Sequence, residues 1–265
     1  YGEADPCATM PACDGGALPL TEGAVLFKNR GMGLLIAGSY LFGDSGRIPD
    51  EFLLNFFIEC NKAVLAMGDS VLLLSGNYDF SYVERLRRVQ NTERGSFGEI
   101  LEAYSQALSF KLAPQFVPSS DLSPVDYWAT LTSSFLSFFQ YFESTRLCQE
   151  GLEWPEYLNR MKNGGRLAGM QILKCLLRDP QGFFSQTEQT GISLIGNPAL
   201  ITAVIALLLW ANPTTDRQSH LQEVARALQH SLTGQHRRDW LQLVKHLLLL
   251  LHPEGEAGRA ARAVY

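Results

Sequence analysis

The chain has 265 residues, enough to bury one large hydrophobic core without support from disulfides or metal ions. Its formal net charge of -5 gives no general attraction to nucleic acid or to anionic lipid, so neither is an expected partner. Charged residues make up 18% and hydrophobic residues 46% of the chain, which predicts a large apolar interior or an apolar surface kept for a partner.

The cysteines and the first residues indicate a compartment. Five cysteines without a repeated short spacing suit neither a disulfide framework nor a zinc ribbon. No Asn stands in an acceptor pattern for N-glycans, and no basic segment leads into an apolar run as in a signal peptide. We therefore expect an intracellular protein, cytoplasmic or nuclear. Because the chain starts with Tyr1 and not with Met, we also expect a fragment of a longer protein.

The first part of the chain predicts an irregular lead-in and then a small β element. Residues 1–23 are rich in Pro and Gly and carry no periodicity. Two apolar runs follow, Ala24–Phe27 and Leu34–Phe42. Asn29–Gly31 between them suits a tight turn, because Asn and Gly accept a positive φ. The pattern predicts an N-terminal β-hairpin.

Helical spacing replaces this pattern further along the chain. Leu53, Phe56, Cys60 and Val64 fall on one face of a helix that begins after Pro49. Further helix starts are marked by a capping residue followed by Glu three positions later, or directly by Pro. They occur at Ser81 with Glu84, Ser96 with Glu99, Ser123 with Pro124, and Asn197 with Pro198.

These signals predict a mainly α fold. We expect a multi-helix globular bundle, or an irregular array of helical hairpins, over residues 24–252 with the β-hairpin at its start. Residues 112–123 contain two prolines and mark a predicted subdomain boundary. Residues 253–265 are predicted to be a flexible tail. The stretch Pro198–Ala211 has a single polar residue but is shorter than the about 20 residues that cross a membrane, so we predict a central core helix.

No catalytic pattern is complete. Gly43–Gly46 matches the sequence around a protease serine, but the first histidine is His220, so the order His, Asp, Ser of that family fails. All five histidines lie in the last quarter, and no pair has the i, i+4 spacing of a helical zinc site. We therefore favour a non-catalytic protein, and we predict no metal and no cofactor.

One charged feature predicts a binding role. His236, Arg237, Arg238 and Lys245 place positive groups at the start of the last predicted helix and along it. Cations at a helix N-terminus oppose the helix dipole, so an acidic group in this chain or in a partner is expected to compensate them. We predict that these four residues bind a partner.

Three functional hypotheses remain open. The leading one is a helical module for protein–protein interaction or complex assembly, such as an adaptor or scaffold, that binds another protein or a second copy of itself. An exposed apolar patch would mark it. The first alternative is a carrier or enzyme for an apolar or lipid-like ligand, based on the Phe-dense stretch Phe135–Phe142 and needing a pocket of about 300–1,000 Å³. The second is a protein that inserts Pro198–Ala211 into membranes after rearrangement, although we expect no membrane partner.

Overall fold

The computed structural model describes residues 15–43, 48–91, 98–114, 123–164, 197–228 and 230–251. These ranges contain nine α-helices, two short 3-10 helices and no β-strand, so the predicted mainly α fold is confirmed. The α-helices are α1 (Leu20–Phe42), α2 (Asp50–Leu74), α3 (Tyr82–Asn91), α4 (Gly98–Leu112), α5 (Pro124–Arg146), α6 (Trp154–Gly164), α7 (Pro198–Trp210), α8 (Leu221–Leu228) and α9 (His236–Leu251). The 3-10 helices are Gly15–Ala17 and Gln218–His220.

The predicted β-hairpin is wrong, because Ala24–Phe42 belongs entirely to α1. The buried residues in the first half of α1 are four positions apart, at Gly23, Phe27 and Gly31, and Asn29–Gly31 lies inside the helix and forms no turn. Gly31 serves close packing here. A Cβ on Gly31 would lie 2.7 Å from Cγ2 of Ile205, so its absence lets α7 approach α1. Contacts with a distant helix therefore override the local turn signal.

Several predicted helix starts are confirmed by their capping hydrogen bonds. The Asp126 backbone N–H donates to Oγ of Ser123 at 3.2 Å, at the start of α5. The Leu200 backbone N–H donates to Oδ1 of Asn197 at 3.1 Å, at the start of α7. In both cases Pro follows the cap and fills the first helical position. Short local motifs are thus reliable where the capping side chain and its backbone partner are neighbours in sequence.

Other predictions fall outside the described ranges. They concern residues 1–14 of the lead-in, the capping residue Ser96, residues 115–122 of the predicted subdomain boundary, and the tail 253–265. Helix α1 begins at Leu20, after Pro19 in an extended conformation, so the last four residues of the predicted lead-in belong to this helix.

Helix α7 is the centre of the core, as its composition predicts. Every residue from Leu200 to Leu209 is buried, and α7 contacts α1, α5, α6 and α8. The buried apolar side chains of the surrounding helices join it in one continuous cluster. None of the helices in the described ranges is long and apolar enough to span a membrane.

Aromatic side chains fill the space between α1 and its neighbours. The ring of Phe27 lies 4.7 Å from that of Phe139 and 5.3 Å from those of Phe135 and Phe142, measured between centroids. The Phe-dense face of α5 is therefore packed against α1, where side chains of the protein itself supply the contacts.

Two indoles continue this packing at the other end of α1. Nε1 of Trp128 donates to the Leu34 carbonyl at 2.9 Å, and Nε1 of Trp240 donates to the Leu208 carbonyl at 2.8 Å. Both indoles meet at Gly38, where a Cβ would lie 2.6 Å from Trp128 and 2.9 Å from Trp240. Because each buried N–H has an acceptor, the two side chains are held in place by hydrogen bonds as well as by packing.

Candidate interaction site

Two of the four predicted binding residues reach the C-terminal ends of other helices. Arg237 donates through Nε to the Phe42 carbonyl at 2.8 Å and through Nη2 to the Gly43 carbonyl at 2.5 Å, at the end of α1. Nε2 of His236 lies 3.0 Å from the carbonyl oxygen of Ala211, which follows α7. The last carbonyls of a helix carry partial negative charge and attract cations. The expected compensation for Arg237 thus comes from this chain.

An acidic group also stands in the first turn of α9. The buried carboxylate of Asp239 accepts hydrogen bonds from the Thr233 and Gly234 backbone N–H groups at 2.7 and 2.9 Å. Of the remaining predicted residues, Arg238 is exposed and Lys245 is half-buried. A partner-binding role for the four residues stays a prediction.

A buried polar cluster joins α2, α3 and α4. Asp69, five residues before the end of α2, accepts a hydrogen bond from Nη1 of Arg85 at 2.5 Å and another from the Tyr104 hydroxyl at 2.8 Å. All three side chains are buried. Gly68 allows this approach, because a Cβ there would collide with the Tyr104 ring. One carboxylate therefore ties two helices to α2.

The electrostatics of this cluster are those of a desolvated ion pair. Burial raises the pKa of the Asp69 carboxyl, while the charge of Arg85 and the hydrogen bond from Tyr104 lower it. Burial and the neighbouring carboxylate together raise the pKa of the Tyr104 hydroxyl, which keeps it a donor. Within the described part of the chain, Nε of Arg85 has no hydrogen-bond acceptor.

The sequence reasoning missed these residues, although it contained a signal. Asp69 is the single charged residue between Lys62 and Asp79, in a stretch rich in apolar residues. A charged residue in such a stretch needs a buried partner. The spacing does not reveal which one, because Arg85 and Tyr104 are 16 and 35 residues away.

The cluster continues to the surface through Tyr82. The Arg85 guanidinium lies 4.0 Å from the centre of the Tyr82 ring, and Nζ of Lys111 lies 4.4 Å from it. Both distances are within the range of cation–π attraction. This stack fixes the last turn of α4 against the first turn of α3.

Exposed apolar side chains lie next to the stack in sequence. The three most exposed large apolar residues of the described ranges are Val83 (72%), Leu112 (66%) and Phe80 (55%). Phe80 and Val83 are within two residues of Tyr82 in sequence, and Leu112 follows Lys111. We call these three residues, together with Tyr82 and Lys111, the α3–α4 corner.

The loop that carries Phe80 is held in place by Arg88. Nη1 of Arg88 donates to the Asn77 carbonyl at 2.9 Å, and Nη2 donates to the Asp79 carboxylate at 2.8 Å. Phe80 of the α3–α4 corner is thus presented by a loop that is anchored to α3.

No three His, Cys, Asp or Glu side chains of the described residues come together as a possible metal site. Comparison of the chain with protein-family models, with curated proteins and with solved structures finds no match.

Proposed function

We propose that this chain is a non-catalytic helical module that binds a partner protein through the α3–α4 corner. The observation that carries the proposal is the exposure of Phe80, Val83 and Leu112 next in sequence to a fixed cation–π stack. Aromatic side chains such as Phe80 are enriched in the energetically important parts of protein interfaces. A surface that is already ordered also loses less conformational entropy on binding.

The charges in and beside the α3–α4 corner indicate which kind of partner would fit it. Arg85, Arg87 and Arg88 are ion-paired to Asp69, Glu84 and Asp79. Lys111 is exposed, and among the described residues no carboxylate lies within ion-pair distance of it. A polypeptide segment that places an apolar side chain next to a carboxylate complements this surface.

Two further observations support parts of this proposal. Cys60 and Cys148 are free thiols, which supports a cytoplasmic or nuclear location. The Phe135–Phe142 face packs against Phe27, so the observation behind the apolar-ligand alternative has another explanation.

The test compares a corner variant with a matched control. Val83→Asp places a charge in the α3–α4 corner, and Leu54→Ser changes an exposed apolar residue of α2 outside the corner. Proteins captured from a lysate by the wild-type chain and by both variants are quantified by mass spectrometry, and the captured candidate is then purified. Titration calorimetry should give binding at least about tenfold weaker with Val83→Asp and unchanged binding with Leu54→Ser. Lys111→Ala should reduce the salt dependence of binding.

Equal binding by the two variants would overturn the proposal, as would the absence of any protein that the wild-type chain retains better than Val83→Asp. Light scattering gives a further outcome. A dimer that Val83→Asp dissociates would show that a second copy of the chain occupies the corner, and the partner proposal would then fail.

A further inference from the structure

A polar groove lies between α5 and the segment that follows α7, away from the residues of the α3–α4 corner. Its volume is about 470 Å³, within the range of small-molecule sites. Hydroxyl groups dominate its walls. Thr132, Ser133 and Ser137 line it from α5, and Thr214 and Thr215 line it from the opposite side.

Two opposite charges line the same groove. Glu153 supplies a carboxylate and Arg217 a guanidinium, and both residues are exposed. Arg217 is oriented by the Trp210 ring, whose centre lies 4.5 Å from its guanidinium carbon, and by a hydrogen bond to the Trp210 carbonyl at 3.2 Å. None of the ion pairs in the described part of the chain includes Glu153 or Arg217, so the two do not neutralise each other.

A cation and an anion in one groove complement a small zwitterion. We propose that the groove binds a free α-amino acid. Its carboxylate pairs with Arg217 and its ammonium group with Glu153. This site is independent of the proposed protein interaction.

The test titrates the purified chain with L-serine and L-glutamine and follows amide shifts by NMR. Ethanolamine, lactate and glucose serve as probes that combine hydroxyl groups with only the ammonium group, with only the carboxylate, or with neither charge. Saturable shifts with the amino acids at millimolar concentration, and none with the three other probes, are expected. No saturable shift with either amino acid, or equal affinity for one of the three other probes, would overturn the proposal.

Variants connect binding to the groove. Glu153→Gln and Arg217→Gln change exposed side chains and should each weaken binding of L-serine at least about tenfold. Glu156→Gln removes an exposed carboxylate in the first turn of α6 and should leave the affinity unchanged. Retained affinity in both charge variants would show that the amino acid binds elsewhere and would sink the assignment.

Discussion

Asp69 in α2 and Glu143 in α5 are both buried carboxylates that contact one arginine and one tyrosine, yet the two arginines differ. Arg146 binds Glu143 in a bidentate way, with Nε 2.7 Å from Oε1 and Nη2 2.6 Å from Oε2, and its side chain stays 20% exposed. Arg85 contacts Asp69 through Nη1, is 4% exposed, and has a buried Nε without an acceptor in the described ranges.

This difference shows that burial changes how much the same chemical groups contribute to the stability of the fold. Arg146 can turn to water if its partner is lost, because it lies three residues from Glu143 at the surface of α5. Arg85 cannot do so without unpacking α3 from α2. The transfer of a charge out of water costs several kcal/mol, so a fully buried pair stabilises the fold only while both members are present.

The largest expected effect is therefore that of Asp69→Ala. This change leaves the Arg85 charge buried, and it should lower the free energy of unfolding by about 3–5 kcal/mol. Urea denaturation followed by circular dichroism measures it. As a control, Asp69→Leu combined with Arg85→Met and Tyr104→Phe should be about as stable as the wild type, because neither a buried charge nor the Tyr104 hydroxyl that donates to Asp69 remains. A loss below about 1 kcal/mol in Asp69→Ala would contradict the argument.

Glu143→Ala should cost less, although Glu143 is the more completely buried carboxylate. The guanidinium group of Arg146 can be hydrated again in this variant. The remaining loss of stability comes from the buried Tyr157 hydroxyl, which loses its 2.7 Å hydrogen bond to Glu143. An unsatisfied buried donor costs about 1–3 kcal/mol. The same denaturation experiment tests the order, and a Glu143→Ala effect equal to that of Asp69→Ala would remove the distinction between the two clusters.

Packing against α5 gives a comparison without charges. Gly38→Ala should destabilise the protein by about 1–3 kcal/mol, because the new methyl group meets two buried indoles that cannot move aside. Gly33→Ala is the matched control on the same helix. Its methyl group meets only the end of the flexible Glu59 side chain, which can move aside. Because Ala is favoured over Gly in a helix by about 1 kcal/mol, this variant should be slightly more stable than the wild type. Thermal unfolding of both variants distinguishes them, and similar melting temperatures would refute the packing argument.

The smallest expected effect concerns His246, a half-buried histidine of α9. Burial and the nearby His230, whose ring centre lies 5.2 Å away, lower the pKa of His246 below its usual 6.5. As the pH falls through 6.5, the unfolded chain binds this proton before the folded chain does, so stability should decrease towards pH 5.5. His246→Gln should reduce this slope, measured by urea midpoints at pH 7.5 and 5.5. An unchanged slope would show that other groups cause it.

The sequence predicts what depends on neighbouring residues. The starts of α5 and α7 follow from Ser123 and Asn197, because a cap and its partner are three residues apart. The central position of α7 follows from its composition. The β-hairpin failed because the packing role of Gly31 depends on Ile205, far along the chain.

The candidate site could not be predicted from the sequence for a similar reason. Phe80 and Val83 are apolar residues of a type that the sequence assigns to the core, and only the packed structure shows that they face outward. Arg237 was identified as a charge that needs compensation, but its acceptor lies 195 residues away. Periodicity cannot reveal a contact of that separation.

This last contact has a consequence for synthesis in the cell. A ribosome produces α1 long before α9, and domains fold as the chain emerges. The end of α1 cannot contact Arg237, and its face at Gly38 cannot pack against Trp240, until almost all described residues have been translated. We therefore expect α1 to complete its docking late, after α9 leaves the exit tunnel, and its apolar face to need protection by chaperones until then.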